Sequence, residues 1–249
     1  MIRVCVAGST GWTGSAVAAA VDAAGDLELV AGVARSGASH ATVAQALDDV
    51  PADVLVDYTH AEVVKQNVLA ALERGVGVVV GSSGLTGADY DEIAALAARR
   101  GVGVIAAGNF SVTAAMVLRF AGEAARHLGS WEVIDYASAT KTDAPSGTSR
   151  ELAERLAELD EQPAVGVALE DVHGLREARG ASVAATQVHS LRLPSFTVST
   201  EIVFAGSGER LSLRHDAGTS AAPYVAGTLL AIRAIPNQVG LVRGLDRIL

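Results

Sequence analysis

Met1-Ile2-Arg3-Val4-Cys5-Val6-Ala7 runs straight into Gly8-Ser9-Thr10-Gly11-Trp12-Thr13-Gly14, and the reading of this junction decides the fold. A short apolar run ends in a glycine turn, and an alanine-rich stretch of helical character follows. Strand, glycine turn and helix are the context that a dinucleotide fingerprint requires. Glycines let the backbone turn tightly and approach a pyrophosphate, whose charge is stabilised by N–H groups at the helix start. The spacing is G-x-x-G-x-x-G, looser than the common G-x-G-x-x-G. Candidate coenzyme contacts are therefore Gly8, Ser9, Thr10, Gly11, Trp12 and Thr13.

Working outward, apolar runs at 2–7, 27–33, 54–58, 76–80 and 102–106 alternate with helical stretches at 14–24, 61–74 and 88–99. Most of these runs are nearly continuous, as expected of parallel strands covered on both faces by helices. The organisation changes after about residue 108. A helix is predicted at 113–128, a strand at 131–137 and a helix at 149–159. A weakly periodic stretch, 162–181, reads as a mobile loop. Strand-like runs at 182–193, 197–204 and 210–214 suggest a separate mixed sheet, and 224–234 a last helix returning toward the first domain. The predicted class is α/β.

Of the 249 residues, half are hydrophobic and the net charge is −9. An acidic surface repels nucleic acid and anionic lipid, so neither is an expected partner. The one cysteine, Cys5, lies in an apolar run and reads as a small buried hydrophobe. No signal-peptide pattern and no apolar stretch long enough to span a bilayer is present, which predicts a soluble, cytoplasmic protein. His40, His60, His127, His173, His189 and His215 show no metal-ligand spacing, and no metal is expected.

The second strand ends in Val33-Ala34-Arg35-Ser36. NAD-preferring sites carry Asp or Glu there to hold the ribose 2′-OH, whereas a nearby Arg accommodates a 2′-phosphate. Arg35 in place of a carboxylate favours NADPH over NADH.

Four further segments carry a resemblance. These are Val56-Asp57-Tyr58-Thr59-His60, Val80-Gly81-Ser82-Ser83-Gly84, Ala107-Gly108-Asn109-Phe110-Ser111 and Lys141-Thr142-Asp143-Ala144-Pro145-Ser146-Gly147-Thr148. They are similar to the D-F-T, V-G-T-T-G, A-P-N-F-S and K-x-D-A-P-S-G-T motifs of dihydrodipicolinate reductases. Weaker echoes are Arg179-Gly180, Val188-His189-Ser190-Leu191-Arg192 and Arg214-His215-Asp216. The resemblance runs in order over nearly the whole chain. It implies a Rossmann-type doubly wound domain from 1–108 and 219–249. An α+β substrate-binding and oligomerisation domain is inserted over 109–218, and the assembly is a homotetramer. It adds Tyr58, Thr59, Gly81, Ser82, Ser83, Ala107, Asn109 and Phe110 to the coenzyme contacts. It also implies substrate contacts from Ser138, Ser146, Gly147 and Thr148.

The departures fall at the substrate end. The family's H-H-x-x-K pattern is Ala137-Ser138-Ala139-Thr140-Lys141 here, so a proposed proton donor and a carboxylate partner are both missing. A later family histidine falls at Ser199, Gly108 replaces a proline, and an arginine has no clear equivalent in 217–223. Lys141 remains, one of two lysines against seventeen arginines. A lysine can release a proton near neutral pH when buried and an arginine cannot, which makes Lys141 the candidate catalytic residue. The bland alternative is an ion pair with Asp143. Thr148 and Glu151 fit a capping box at a helix start, where the amides of Gly147 and Thr148 could hold a carboxylate.

These features imply hydride transfer from NADPH to a C=N or conjugated C=C bond of a small carboxylated substrate, with an imine other than the lysine-pathway one preferred. The alternatives are a genuine 4-hydroxy-tetrahydrodipicolinate reductase of lysine biosynthesis and a non-catalytic NADPH-binding regulatory paralogue. A short-chain dehydrogenase would need Tyr-x-x-x-Lys on one helix face. Tyr136 and Lys141 are five apart and do not supply it.

Overall fold

The computed structural model describes residues 1–159, 167 and 169–249. Its chain divides into two units, Met1–Val112 with Ser220–Leu249, and Thr113–Thr219.

In the first unit β1 (Ile2–Ala7) leads through the glycine turn into α1 (Trp12–Ala23), β2 (Leu27–Val33) and α2 (Val43–Asp49). Then come β3 (Val54–Asp57), α3 (Val64–Glu73), β4 (Gly77–Val80), α4 (Gly87–Arg100) and β5 (Gly103–Ala106). After the second unit the chain returns as α7 (Ala222–Ala234) and β11 (Gly240–Arg243). All six strands are parallel, in the order β11-β5-β4-β3-β1-β2. Cys5, Ala7, Leu55, Val78, Val80 and Val104 face α2, α3 and α4, burying Val43, Val64, Val68, Leu72 and Ile93. Side chains of opposite parity, Val4, Val6, Val54, Val56, Val79 and Ile105, are buried as well. Helices α1 and α7 pack together on that side. This is the doubly wound layout in which ligands bind outside the carboxyl ends of the strands. Helix α2 and strand β11 add to the elements read from the sequence.

The second unit is built on a mixed five-stranded sheet ordered β10-β9-β6-β8-β7. Its strands are β6 (Trp131–Ala137), β7 (Ala181–Val183), β8 (Thr186–Arg192), β9 (Val198–Ala205) and β10 (Arg210–Asp216). One face carries Trp131, Val133, Val188, Ile202 and Phe204. It is covered by α5 (Val112–Ala125) and α6 (Gly147–Ala157) through Val117, Ala121, Leu152 and Leu156.

Three expectations are corrected. The run 182–193 is two strands, because Ala184 and Ala185 take positive φ (47° and 66°) and fold β7 onto β8 as a two-residue hairpin. Helix α6 begins at Gly147 and is capped by Ser146, whose Oγ accepts from the Ser149 amide at 3.4 Å, so Thr148 is not the cap. The stretch 162–181 holds short 3₁₀ turns at Leu169–Asp171 and Arg176–Arg179. Residues 162–166 and 168 of that expected loop lie outside the described residues.

Candidate active site

The glycine turn is shaped by close approach. Gly8 has φ +80°, and a Cβ there would lie 2.3 Å from the Tyr58 carbonyl oxygen. A Cβ at Gly14 would lie 2.1 Å from the Gly8 carbonyl oxygen, so α1 rests directly on the turn. The Val33 carbonyl accepts from the amides of Gly8 (2.8 Å) and Ser9 (3.2 Å), tying the turn to the end of β2. Ser9 Oγ also reaches Val33 O, which makes Ser9 a brace of the turn.

A 540 Å³ cleft opens at these strand ends, lined by Gly8, Thr10, Gly11, Arg35, Tyr58 and Thr59 among others. Arg35 is exposed, and no carboxylate pairs with it among the described residues. Its loop is held by Ser39, whose Oγ accepts from Gly32 N (3.1 Å) and donates to Gly32 O (2.9 Å). The cleft thus combines a glycine turn with an unpaired guanidinium, which fits the anionic diphosphate of a pyridine dinucleotide.

Asp57, fully buried at the end of β3, organises the remaining loops. Its Oδ1 accepts from Thr59 N (3.0 Å), Thr59 Oγ1 (2.6 Å) and Ser82 Oγ (2.6 Å), and its Oδ2 from Asn67 Nδ2 (2.8 Å). The hydroxyls of Thr59 and Ser82 therefore point at Asp57 and clamp two neighbouring loops. A lone carboxylate closing an apolar run was the signal in the sequence that could have marked this role.

Tyr58 faces inward too. The Thr228 hydroxyl donates to Tyr224 O at 2.7 Å, so Tyr58 Oη must donate across its 2.6 Å contact with Thr228 Oγ1. Burial pushes the Tyr58 phenol well above its usual pKa, so it stays a neutral donor. Its ring covers Gly81, where a Cβ would meet Tyr58 Cε1 at 2.2 Å, and its edge meets Phe110 with centroids 6.2 Å apart. Phe110 is a core residue. Asn109 is buried and its Oδ1 accepts from Ser111 N at 2.8 Å, while Ala107 N donates to Val80 O. Ser83 is exposed, and Trp12, half exposed, sets its ring against Tyr224. Thr13 lies in the first turn of α1. Of the expected contacts, Ser9, Trp12, Thr13, Gly81, Ser82, Ser83, Ala107, Asn109 and Phe110 do not line the cleft.

In the second unit, the loop between β6 and α6 carries Lys141. Its Nζ pairs with Asp143 Oδ1 at 2.8 Å and the side chain is 30% exposed, so the ion pair and accessibility coexist. The Lys141 amide donates to Ser138 O, and Ser138 Oγ meets Thr140 Oγ1 at 3.1 Å, closing the turn. Ala137, the last residue of β6, is fully buried. Ser146 is buried and donates through Oγ (2.6 Å) and N (3.0 Å) to the carboxylate of Asp135. The side chain of Ser146 is thus held by protein, its hydroxyl turned to Asp135. Its cap engages the amide of Ser149, a different group from those of Gly147 and Thr148.

Two family models match the chain: "Dihydrodipicolinate reductase, N-terminus" over residues 2–110, and "Dihydrodipicolinate reductase, C-terminus" over 113–249. A 4-hydroxy-tetrahydrodipicolinate reductase of Nocardia farcinica is 40% identical over 247 residues, covering 98% of this chain and 97% of that one. One from Mycolicibacterium gilvum is 36% identical, covering 100% and 99%. The dipicolinate-bound dihydrodipicolinate reductase of Paenisporosarcina sp. TG-14 superposes with a TM-score of 0.82 at 29% identity, covering all of both chains. With a glycine turn built for a dinucleotide, a mixed-sheet unit carrying the lysine loop, and matches to both halves, the chain belongs to the dihydrodipicolinate reductase family.

Proposed function

We propose that this protein reduces 4-hydroxy-tetrahydrodipicolinate with a pyridine dinucleotide, NADPH in preference to NADH. The observation that carries this reading is one chain holding both a cleft floored by the glycine turn beside unpaired Arg35 and a Lys141–Thr148 loop ending at a helix N-terminus. Relatives bearing that name at 36–40% identity over almost the whole chain support the substrate. It displaces the sequence expectation of a different preferred imine.

The coenzyme, when bound, supplies hydride. The turn at Gly8, Thr10 and Gly11 would hold its diphosphate, and Arg35 the 2′-phosphate. The loops clamped by Asp57 and those at Gly81–Ser83 and Ala107–Phe110 shape the nicotinamide end. The amides of Gly147 and Thr148 hold a substrate carboxylate, helped by the partial positive charge of the α6 N-terminus. Ser138 lines the same end. Lys141, or a water it orients, delivers the proton and stabilises negative charge developing on the substrate. The unit Met1–Val112 with Ser220–Leu249 is the NADPH-binding domain, and Thr113–Thr219 is the substrate and oligomerisation domain of a cytoplasmic homotetramer. No nucleic acid or membrane takes part; no helix among the described residues is long and apolar enough to cross a bilayer.

A second reading keeps the chemistry and changes the substrate. It is favoured by Ala137 and Ser138 standing where the family carries two histidines, which removes an acid and a carboxylate partner. Steady-state NADPH consumption with 4-hydroxy-tetrahydrodipicolinate, set against a panel of cyclic imines, decides between them. Normal turnover of the former supports the main reading. Turnover of only another imine overturns it, and coenzyme binding without any turnover leaves a regulatory protein.

A further inference from the structure

The loop that carries Lys141 is tied at its far end to one buried carboxylate, and near its middle to the arginine paired with that carboxylate. Asp135, on β6, is fully buried. Near the far end of the loop it takes the Ser146 amide and hydroxyl, and Ser149 Oγ from α6 at 3.1 Å. From β8 it takes Ser190 Oγ at 3.0 Å and Arg192 Nη2 at 2.8 Å. The same Nη2 donates to the main-chain oxygen of Asp143 at 2.5 Å, and Nη1 to Leu191 O at 2.9 Å. Asp143 in turn pairs with Lys141. A continuous line therefore runs from the core carboxylate through the guanidinium and the loop backbone to the lysine ammonium.

We infer that Asp135 and Arg192 are the positioning pair of this site, fixing Lys141 and the first turn of α6 relative to each other. The inference rests on the reductase reading, since it concerns residues acting through Lys141. Several observations distinguish the pair from an ordinary core ion pair. Two charges removed from water are a poor source of stability, and well-packed apolar residues often do as well. Here one guanidinium nitrogen bridges a carboxylate and a loop carbonyl while the other holds Leu191 O, and the planar fork fixes these three acceptors together in a way a flexible ammonium does not. Burial alone would push the Asp135 carboxyl up, yet the Ser146 donors and Arg192 hold it below the usual carboxylate range, so it remains charged.

The full chain is compared with its Arg192→Ala and Arg192→Lys variants, reading kcat and KM for substrate, Kd for NADPH, and Tm. A displacement of about 1 Å at a reacting group costs on the order of 100-fold in rate. Arg192→Ala is expected to lose about that much in kcat, with coenzyme Kd within about twofold, and to recover several-fold in millimolar methylguanidinium. Arg192→Lys, which keeps the charge but not the fork, is expected to lose roughly tenfold without rescue. Lysine acylation followed by mass spectrometry gives a readout that needs no substrate. Lys141 should react several-fold faster in Arg192→Ala, while Lys65, bound to Asp89 and Glu92 in the other unit, keeps its rate. Unchanged kcat and unchanged Lys141 labelling in a folded variant would overturn the inference. So would parallel loss of coenzyme affinity and Tm without rescue. If wild type fails to reduce the substrate, the reductase reading falls, and the labelling comparison still judges the positioning pair.

Discussion

Replacing Gly14 with alanine puts a methyl group where no methyl fits. The new Cβ would sit 2.1 Å from the Gly8 carbonyl oxygen and 2.7 Å from its carbon, about 1 Å inside the 3.0 Å limit that real Cβ atoms respect. Gly8 has little room to yield. Its amide is bound to Val33 O, its carbonyl accepts from Gly11 N at 2.8 Å, and its own Cα faces the Tyr58 carbonyl. The displacement must go into the turn and the first turn of α1, the backbone expected to meet the coenzyme diphosphate. Overpacking of this kind costs about 1–3 kcal/mol. Helix propensity returns up to about 1 kcal/mol for Gly to Ala. Net destabilisation is therefore roughly 0–3 kcal/mol, and Tm falls about 2–4 °C for each kcal/mol in a chain of this size. Coenzyme binding should suffer far more, on the order of 100-fold for an error near 1 Å. Titrating the variant with NADPH by nicotinamide fluorescence, alongside a thermal melt, separates the two effects. Wild-type affinity in Gly14→Ala would refute the placement of the coenzyme on this turn.

Gly122 lies inside α5, and a methyl group there would meet nothing within 4 Å, so Gly122→Ala should raise stability by about 0.5–1 kcal/mol in a urea titration. Arg35→Asp should invert the coenzyme preference, weakening NADPH and sparing NADH in parallel titrations, because the cleft then offers the 2′-OH an acceptor and the phosphate a repulsion. Burial lowers the His215 pKa below its ordinary 6.5, the effect of nearby Asp216 being the smaller, so the unfolded chain binds the proton first. Stability should then decline as pH falls below 6.5, and His215→Gln should flatten that limb in melts taken across it. Asp135 has a folded pKa below 3.8, so its contribution is present above that value and is lost as pH falls further, a limb absent from Asp135→Asn. The buried Cys5 thiol is pushed up to about 12, first by burial and then by Asp57, so a thiol reagent at pH 8 should label it only as the first unit opens.

How much of this was legible depended on the length of each signal. Five buried parallel strands announce themselves as apolar runs because helices cover both faces, and β1 and β2 keep the bounds read from sequence. Helix α2 spans seven residues and buries only Val43 and Ala46, too few for a period to register. Strand β11 is four residues of Gly-Leu-Val-Arg at a sheet edge, none fully buried, and nothing local separates it from a loop. The hairpin at Ala184–Ala185 was invisible for a different reason. Left-handed backbone is normally signalled by Gly or Asn, and here two alanines adopt it because β7 pairs back on β8.

The site divides along the same line between backbone and side chain. A glycine's signal is a lack of bulk, and at Gly8, Gly14 and Gly81 the structure shows the crowding behind it, since a methyl would collide with backbone or a ring. Polar residues in a matched motif have a known position in the chain but no known direction. Ser82 and Thr59 turn to Asp57, Tyr58 turns to Thr228, and Ser146 turns to Asp135. In each case the partner is a buried polar group that would cost about 1–3 kcal/mol if left unmade, and that debt sets the direction of the side chain. Two of those partners are carboxylates 78 positions apart in sequence, each at a fully buried strand position and each gathering hydroxyls from neighbouring elements. An aspartate on the strand face that its apolar neighbours of the same parity bury is therefore the cue that was passed over, for it implies donors nearby before any of them can be named.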